Sequence, residues 1–322
     1  MGFLRTVTGD IDVSAAGFCY AHEHIIIDPS FTTFCFPDFL LDSVEKACLD
    51  VREFQQAGGQ TLVDSMPCGG GRNAVKLAEI SRATGVYILC PTGLHLPKYY
   101  PPGHWGQKLS AGELAKLFVA DIQDGIDLAD YNGPAIERGG EKAGLIKIAT
   151  GQKEPNKYER KVFAAAVEAH KMTGAPILTH TEQGAGALEQ VELLRSLGAA
   201  LGHVVLSHTD RAPEISYHKE TLSTGVMLEY DSAFRWPAEP AHHNPTLELV
   251  VEMFAAGFGR QILLGMDAAR QKYWHAYGGT PGIVYLLQEF IPLLRQRGLS
   301  EEDIKTIFVH NPARCYAFHT SR

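Results

Sequence analysis

Eight short apolar runs rich in β-branched residues recur along the chain, separated by longer stretches of helical periodicity, and this alternation constrains the fold more than any other feature. The runs are FCYAHEHIII, QTLVDSM, VYILCPTG, GLIKIAT, APILTH, HVVLSH, GVMLEYD and QILLGMD. Between them SVEKACLDVREFQQAG, NAVKLAEISRATG, ELAKLFVADIQDGIDLAD, NKYERKVFAAAVEAHKMTG, GALEQVELLRSLG and TLELVVEMFAAGFG read as helices. Several close on glycine, the residue that often ends a helix in a left-handed turn. Strand and helix repeated eight times predict an α/β fold, a (β/α)8 TIM barrel. The competing doubly wound sheet would place G-x-G-x-x-G after the first strand, and no such motif follows it. No low-complexity linker or shift in composition divides the chain, so residues 1–322 are expected to form a single domain.

Composition narrows the function. Of 322 residues, 45% are hydrophobic and 20% charged, which supplies a sizeable core. A formal charge of −8 with no basic run points away from nucleic acid as a partner, and a small-molecule substrate is expected. The six cysteines form no C-x-x-C pair, as expected of reduced thiols. The opening MGFLRTVTGDIDVS has no hydrophobic signal core and no apolar run approaches membrane-spanning length. A cytoplasmic protein without membrane association is expected, with a homodimer as the default assembly.

The apolar runs finish on polar residues: His22 and His24 in the first, Asp64 in the second, Lys147 in the fourth, His180, His208, Asp231 and Asp267 in the fifth to eighth. In a closed barrel these carboxyl ends meet on one face, where barrel enzymes keep their chemistry. Strand alternation turns His22 and His24 the same way and Glu23 the other. Taken singly, each residue has an ordinary reading. His180 could cap a helix, Asp267 could be an N-cap, and Lys147 could extend to solvent from a strand end. Together, a ring of histidines, lysine and aspartate needs a common partner, because burying each charge alone costs several kcal/mol. Lys147 has two functional readings: a Schiff-base nucleophile with lowered pKa, or, once carboxylated by carbon dioxide, a carboxylate bridging two cations. Five other candidate ligands at the same rim favour the second.

The order of these residues resembles the phosphotriesterase family of the amidohydrolase superfamily. The matching pieces are AHEH with IIID, GLIKIATG, PILTHTEQG, VVLSHTD, LLGMDAAR and the terminal NPARCYAF. The resemblance implies a binuclear site of two divalent metal ions, zinc the expected identity. His22, His24 and Asp267 would hold the buried ion, His180 and His208 the more exposed one, and carboxylated Lys147 with a hydroxide would bridge them. It further implies a hydrolase in which the metal-bridging hydroxide attacks a carboxylic ester, with a lactone placed first and an N-acyl amide or a phosphotriester as alternatives. Asp267 is the natural acceptor of the hydroxide proton. From other classes, a Schiff-base lyase using Lys147 would leave the histidines unexplained, and a barrel that only binds a ligand would show no chelator-sensitive turnover.

Two departures bear on the substrate. His95 stands where lactonase-like relatives tend to carry tyrosine, and LEYDSAFRW offers no histidine for the proton relay proposed in the best-known phosphotriesterase. The loops at the expected catalytic rim are aromatic, and His95, Tyr99, Trp105 and Arg235 are the candidate substrate-binding residues. Arginine suits a carboxylate or phosphate, and Lys98 could assist it. His104, His242 and His243 receive no role.

Overall fold

The computed structural model describes residues 2–236 and 244–319, so His242 and His243 lie outside the described residues. An antiparallel hairpin, β1 (Phe3–Thr6) and β2 (Gly9–Asp12), precedes the repeating units and was not expected from the sequence. Then come β3 (Cys19–Glu23), β4 (Thr61–Asp64), β5 (Tyr87–Leu89), β6 (Pro91–Gly93), β7 (Leu145–Thr150), β8 (Ile177–Thr181), β9 (Val204–Ser207), β10 (Met227–Tyr230) and β11 (Ile262–Leu264). Hydrogen bonding runs in parallel through β3, β4 and β5 and again from β6 through to β11. β5 and β6 are two halves of the third expected strand, interrupted at Cys90 ahead of Pro91, which has no N–H for the ladder. The two ends of the sheet meet where the Met266 and Asp267 amides donate to His22 O at 3.2 and 2.9 Å. The expected (β/α)8 barrel is the observed architecture.

The six expected helices also form, and two end early. Pro245–Ala255 stops four residues short of the stretch read as helical. Ala111–Gln123 stops seven residues short of the stretch read as helical, because Gly125 takes φ +125°, outside helical space. Ala74–Thr84, Lys157–Thr173 and Ala187–Leu197 end on Gly85, Gly174 and Gly198, all left-handed as the glycine pattern required. A further helix, Ile215–Leu222, was not singled out in the sequence.

Two apolar layers follow from strand alternation. Ile88, Ile146, Ile148, Ile177, Leu206, Leu228 and Leu264 face the helices, while Val63, Leu89, Leu145, Leu178, Val205, Met227 and Leu263 fill the barrel interior. Two residues further along the same strands, on the same inner face, stand Lys147, His180, Ser207 and Glu229. The apolar plug is therefore the floor on which a polar layer is built. On β3 the register against β4 gains one residue between Tyr20 and Glu23. Such a bulge re-aims side chains, and it admits both Ala21, in the plug, and His22, in the polar layer.

Candidate metal centre

A cavity of about 180 Å³ opens at the carboxyl ends of the strands, and His22, His24, Lys147, His180, His208 and Asp267 all line it. The structure thus brings the six expected ligands to one place. Ligand atoms of His22, His24 and Asp267 lie within 4.8 Å of one another, a spacing that can hold a metal ion. His24 Nε2 and His22 Nε2 stand 3.2 and 3.6 Å from Asp267 Oδ1. The His180 and His208 rings meet edge to face at 4.5 Å, and His208 lies 4.9 Å from His22.

Carboxylates stand behind three of the imidazoles. His208 Nδ1 is hydrogen-bonded to Asp231, His180 Nε2 lies 3.4 Å from Glu182, and His22 Nδ1 lies 3.3 Å from Glu229 Oε2. A carboxylate on one ring nitrogen fixes the tautomer and frees the other for a cation. Burial holds the His22 and His180 imidazoles below their usual range and brings His208 down to about 3, so all three are neutral, as ligation requires. Glu182, hydrogen-bonded by His180, falls to about 2.

Lys147 is fully buried, and burial lowers its amine to about 8. Its Nζ lies 3.4 Å from Ser207 Oγ. A lysine this close to neutrality is chemically able to take up carbon dioxide or to attack a carbonyl.

Asp267 is the most heavily tethered group. Burial works against its charge, yet His208, His24 and Arg235 together hold it well below the usual carboxylate range. Arg211 Nη2 bridges it to Asp231, at 2.8 Å from each, and Arg235 Nη2 lies 3.1 Å from Oδ2. Beneath it, Glu23 accepts the amides of Met266 and Ala268 at 2.8 and 3.4 Å, so the residue between the two histidines clamps both sides of the Asp267 turn. Asp267 and His208 both take left-handed backbone, φ +47° and +66°. Non-glycine residues in that region cost about 1–3 kcal/mol and cluster at functional sites.

The substrate-binding candidates divide. His95 and Tyr99 line the cavity, their rings 4.6 Å apart, and His95 lies 4.8 Å from the His180 ring. Arg235 also lines it, and its Nη2 donates to Asp267 Oδ2 and to the carbonyls of Met266 and Asp267, so it braces the turn. Trp105 is a correction: it lies outside the cavity wall, packed on His104 and Tyr131. The reason is local, since Trp105 opens a short helix whose N-cap is His104 and packs, partly buried, against the hydrophobic core. His104 accepts the Gly106 amide and stacks on Tyr100, an ordinary structural role. Lys98 pairs with Glu182 at 3.0 Å. Asp64 accepts the amides of Ile25 and Met66 and organises loops. The sequence reading passed over Arg211, Glu182, Glu229 and Arg270. Arg211 and Glu182 follow His208 and His180 by three and two residues, and that adjacency was the available signal.

A barrel with histidines, aspartate and a buried lysine converging at its catalytic face defines a metal-dependent hydrolase architecture. Residues 2–316 match the model of the phosphotriesterase family. The chain is 34% identical to the phospho-furanose lactonase of Mycoplasmopsis synoviae over 99% of this chain and 93% of that protein. A lactonase structure from Listeria monocytogenes superimposes with a TM-score of 0.90 at 31% identity, covering 99% of this chain and 100% of that one. The Escherichia coli phosphotriesterase homology protein, solved with phosphate in its active site, gives 0.83 at 29%, covering 94% and 99%. This chain belongs to the phosphotriesterase family, and it is a metal-dependent hydrolase acting on ester or lactone bonds.

Proposed function

We propose that the protein is a binuclear metal-dependent lactonase whose substrate is a phosphorylated sugar lactone. One observation carries the reading: ligand atoms of His22, His24 and Asp267 gather within 4.8 Å, with Lys147, His180 and His208 on the walls of the same cavity. The donor set fits two divalent cations, His22, His24 and Asp267 holding one, His180 and His208 the other, and carboxylated Lys147 serving both. Bound there, the cations would supply an activated hydroxide and a Lewis acid for the lactone carbonyl.

The chain's own groups complete the chemistry. Asp267, held by Arg211 and Arg235, is placed to accept a proton on its carboxylate and return it to the ring oxygen released when the lactone opens. His95 Nδ1 accepts the Leu96 amide at 2.8 Å, so its neutral ring carries the proton on Nε2 and offers it to a substrate oxygen. The peptide at His95 is fixed by Tyr100 Oη on its N–H and Tyr158 on its carbonyl. At about 180 Å³ the cavity lies below the ~300–1,000 Å³ of sites for drug-sized ligands and suits a compact ring. Two relatives named phospho-furanose lactonase, 34% and 33% identical, support the phosphorylated substrate. So does Arg270 on the outer wall, whose guanidinium pairs with Asp38 and lies over the Phe39 ring.

The test is hydrolysis of five-membered sugar lactones with and without a terminal phosphate. The expected result is chelator-sensitive opening, restored by zinc, with kcat/KM at least about tenfold higher for the phosphorylated ring, the worth of one good anion contact. Arg270→Ala should narrow that preference. Protein carrying two metal equivalents but inert towards every lactone would overturn the reading.

A further inference from the structure

Glu229 is fully buried on β10, and neither carboxylate oxygen has a hydrogen bond of good geometry among the described residues. A chain does not carry such a group in its core without an opposing gain. Its place is specific. Oε2 lies 3.3 Å from His22 Nδ1, itself buried without a hydrogen bond among the described residues. Room for the contact depends on Gly265 at the closing strand, where a Cβ would come within 2.8 Å of Glu229 Oε1 and 2.7 Å of the His22 amide nitrogen.

Glu229 also gathers with His22, His208 and Asp231, close enough together to be read as a separate cation site. The pairing argues otherwise, because His208 Nδ1 is already bonded to Asp231 and has no lone pair to offer. The same geometry one residue pair away gives the role: a carboxylate behind a ligand imidazole.

We propose that Glu229 is the positioning residue of His22, accepting its Nδ1–H and thereby presenting the Nε2 lone pair, beside Asp267 and His24, to the buried cation. This rests on the metal-site reading above. Such outer partners are worth about 10–100-fold in metal affinity.

The test measures metal affinity by chelator competition, together with the visible spectrum of the cobalt-substituted protein, for Glu229→Leu, Glu229→Gln and Glu229→Asp. Glu229→Leu should weaken one of two equivalents about 10–100-fold and shift the cobalt bands. Glu229→Gln should recover most of the affinity, since its amide oxygen can still accept Nδ1–H. Glu229→Asp, one methylene shorter, should behave like the leucine variant, and it decides the matter if Glu229→Leu fails to fold by circular dichroism. Wild-type affinity and spectrum in both Glu229→Leu and Glu229→Asp would overturn the proposal. Three equivalents in the wild type, with one lost even in Glu229→Gln, would make Glu229 a ligand and overturn it too. A wild-type protein that binds no metal removes the functional reading along with it, whereas a metal-loaded wild type with indifferent variants removes only the role of Glu229.

Discussion

On the proposed reading, Lys147 and Asp267 divide the work at the scale of single residues. Lys147 is buried beside Ser207 with its amine lowered to about 8, and a carboxylated form would turn a costly buried cation into an anion shared by two metals. Lys147→Ala should therefore lose metal and turnover together, and short carboxylic acids should restore part of both by occupying the vacated space. A fully active alanine variant would eliminate the bridge. Loss of turnover with metal retained, plus borohydride trapping of substrate in the wild type, would restore the Schiff-base alternative. On that reading Asp267 differs, because it would both ligate a cation and carry a proton. Asp267→Asn keeps the shape and the contacts to His24 and Arg235 while removing the basic oxygen. Turnover should fall about 10²–10⁴-fold, the usual worth of a positioned proton carrier, with metal content, measured by elemental mass spectrometry, falling much less. Equal losses would leave Asp267 a ligand only.

At the scale of elements, the site is held by turns rather than by the strands alone. The Asp267 turn is left-handed and clamped by Glu23 on two amides, by Arg235 on two carbonyls, and by Trp274, whose indole N–H reaches Ala268 O at 2.6 Å. Away from the site, His170 ties the helix Lys157–Thr173 to the loop ahead of β9, Nδ1 bonded to Ala175 O and Nε2 accepting the Ala200 amide. That arrangement needs a neutral ring, and burial lowers its pKa to about 4. The unfolded chain takes up this proton near the ordinary value of about 6.5, the folded chain only near 4. The stability is thus complete above about pH 6.5 and lost as pH falls through about 4. Unfolding free energies from denaturant titrations across this window should fall as the pH is lowered in the wild type, by up to a few kcal/mol, and His170→Gln should flatten the slope. An unchanged slope would assign the acid sensitivity elsewhere. Such turns also mark where the sequence stopped being legible. The strands, the glycine-ended helices and the six side chains that converge on the cavity could be read from periodicity and residue order, because β-branched runs and helix stops are local signals. Glu23's clamp on a turn more than two hundred residues away, Arg235's capture by the Asp267 turn and the packing of Trp105 on His104 could not, since each depends on which loops meet at the rim.

For the molecule as a whole, the polar layer is a cost the fold bears until a cation balances it. Above the apolar plug of Leu145, Leu178, Val205, Met227 and Leu263 the chain stacks Lys147, His180 and Glu229, and it closes the barrel at His22, one of the expected ligands. Since β3 and β11 join through His22 O and the Asp267 amide, a cation held between the His22 and Asp267 side chains would bridge the same seam. Metal binding should then be read out as global stability. A ligand that binds only the folded state at about a thousand times its Kd contributes roughly 4 kcal/mol, and in a chain of this size each kcal/mol moves Tm by about 2 °C. Chelator-treated protein should melt about 8 °C lower than protein loaded with zinc and bicarbonate. The loss should be largest in amide exchange at β3 and β11, where the seam opens, and smallest in the middle of the sheet at β7 and β8. A uniform loss of protection around the barrel would show that the cations stabilise the fold without bridging its closure.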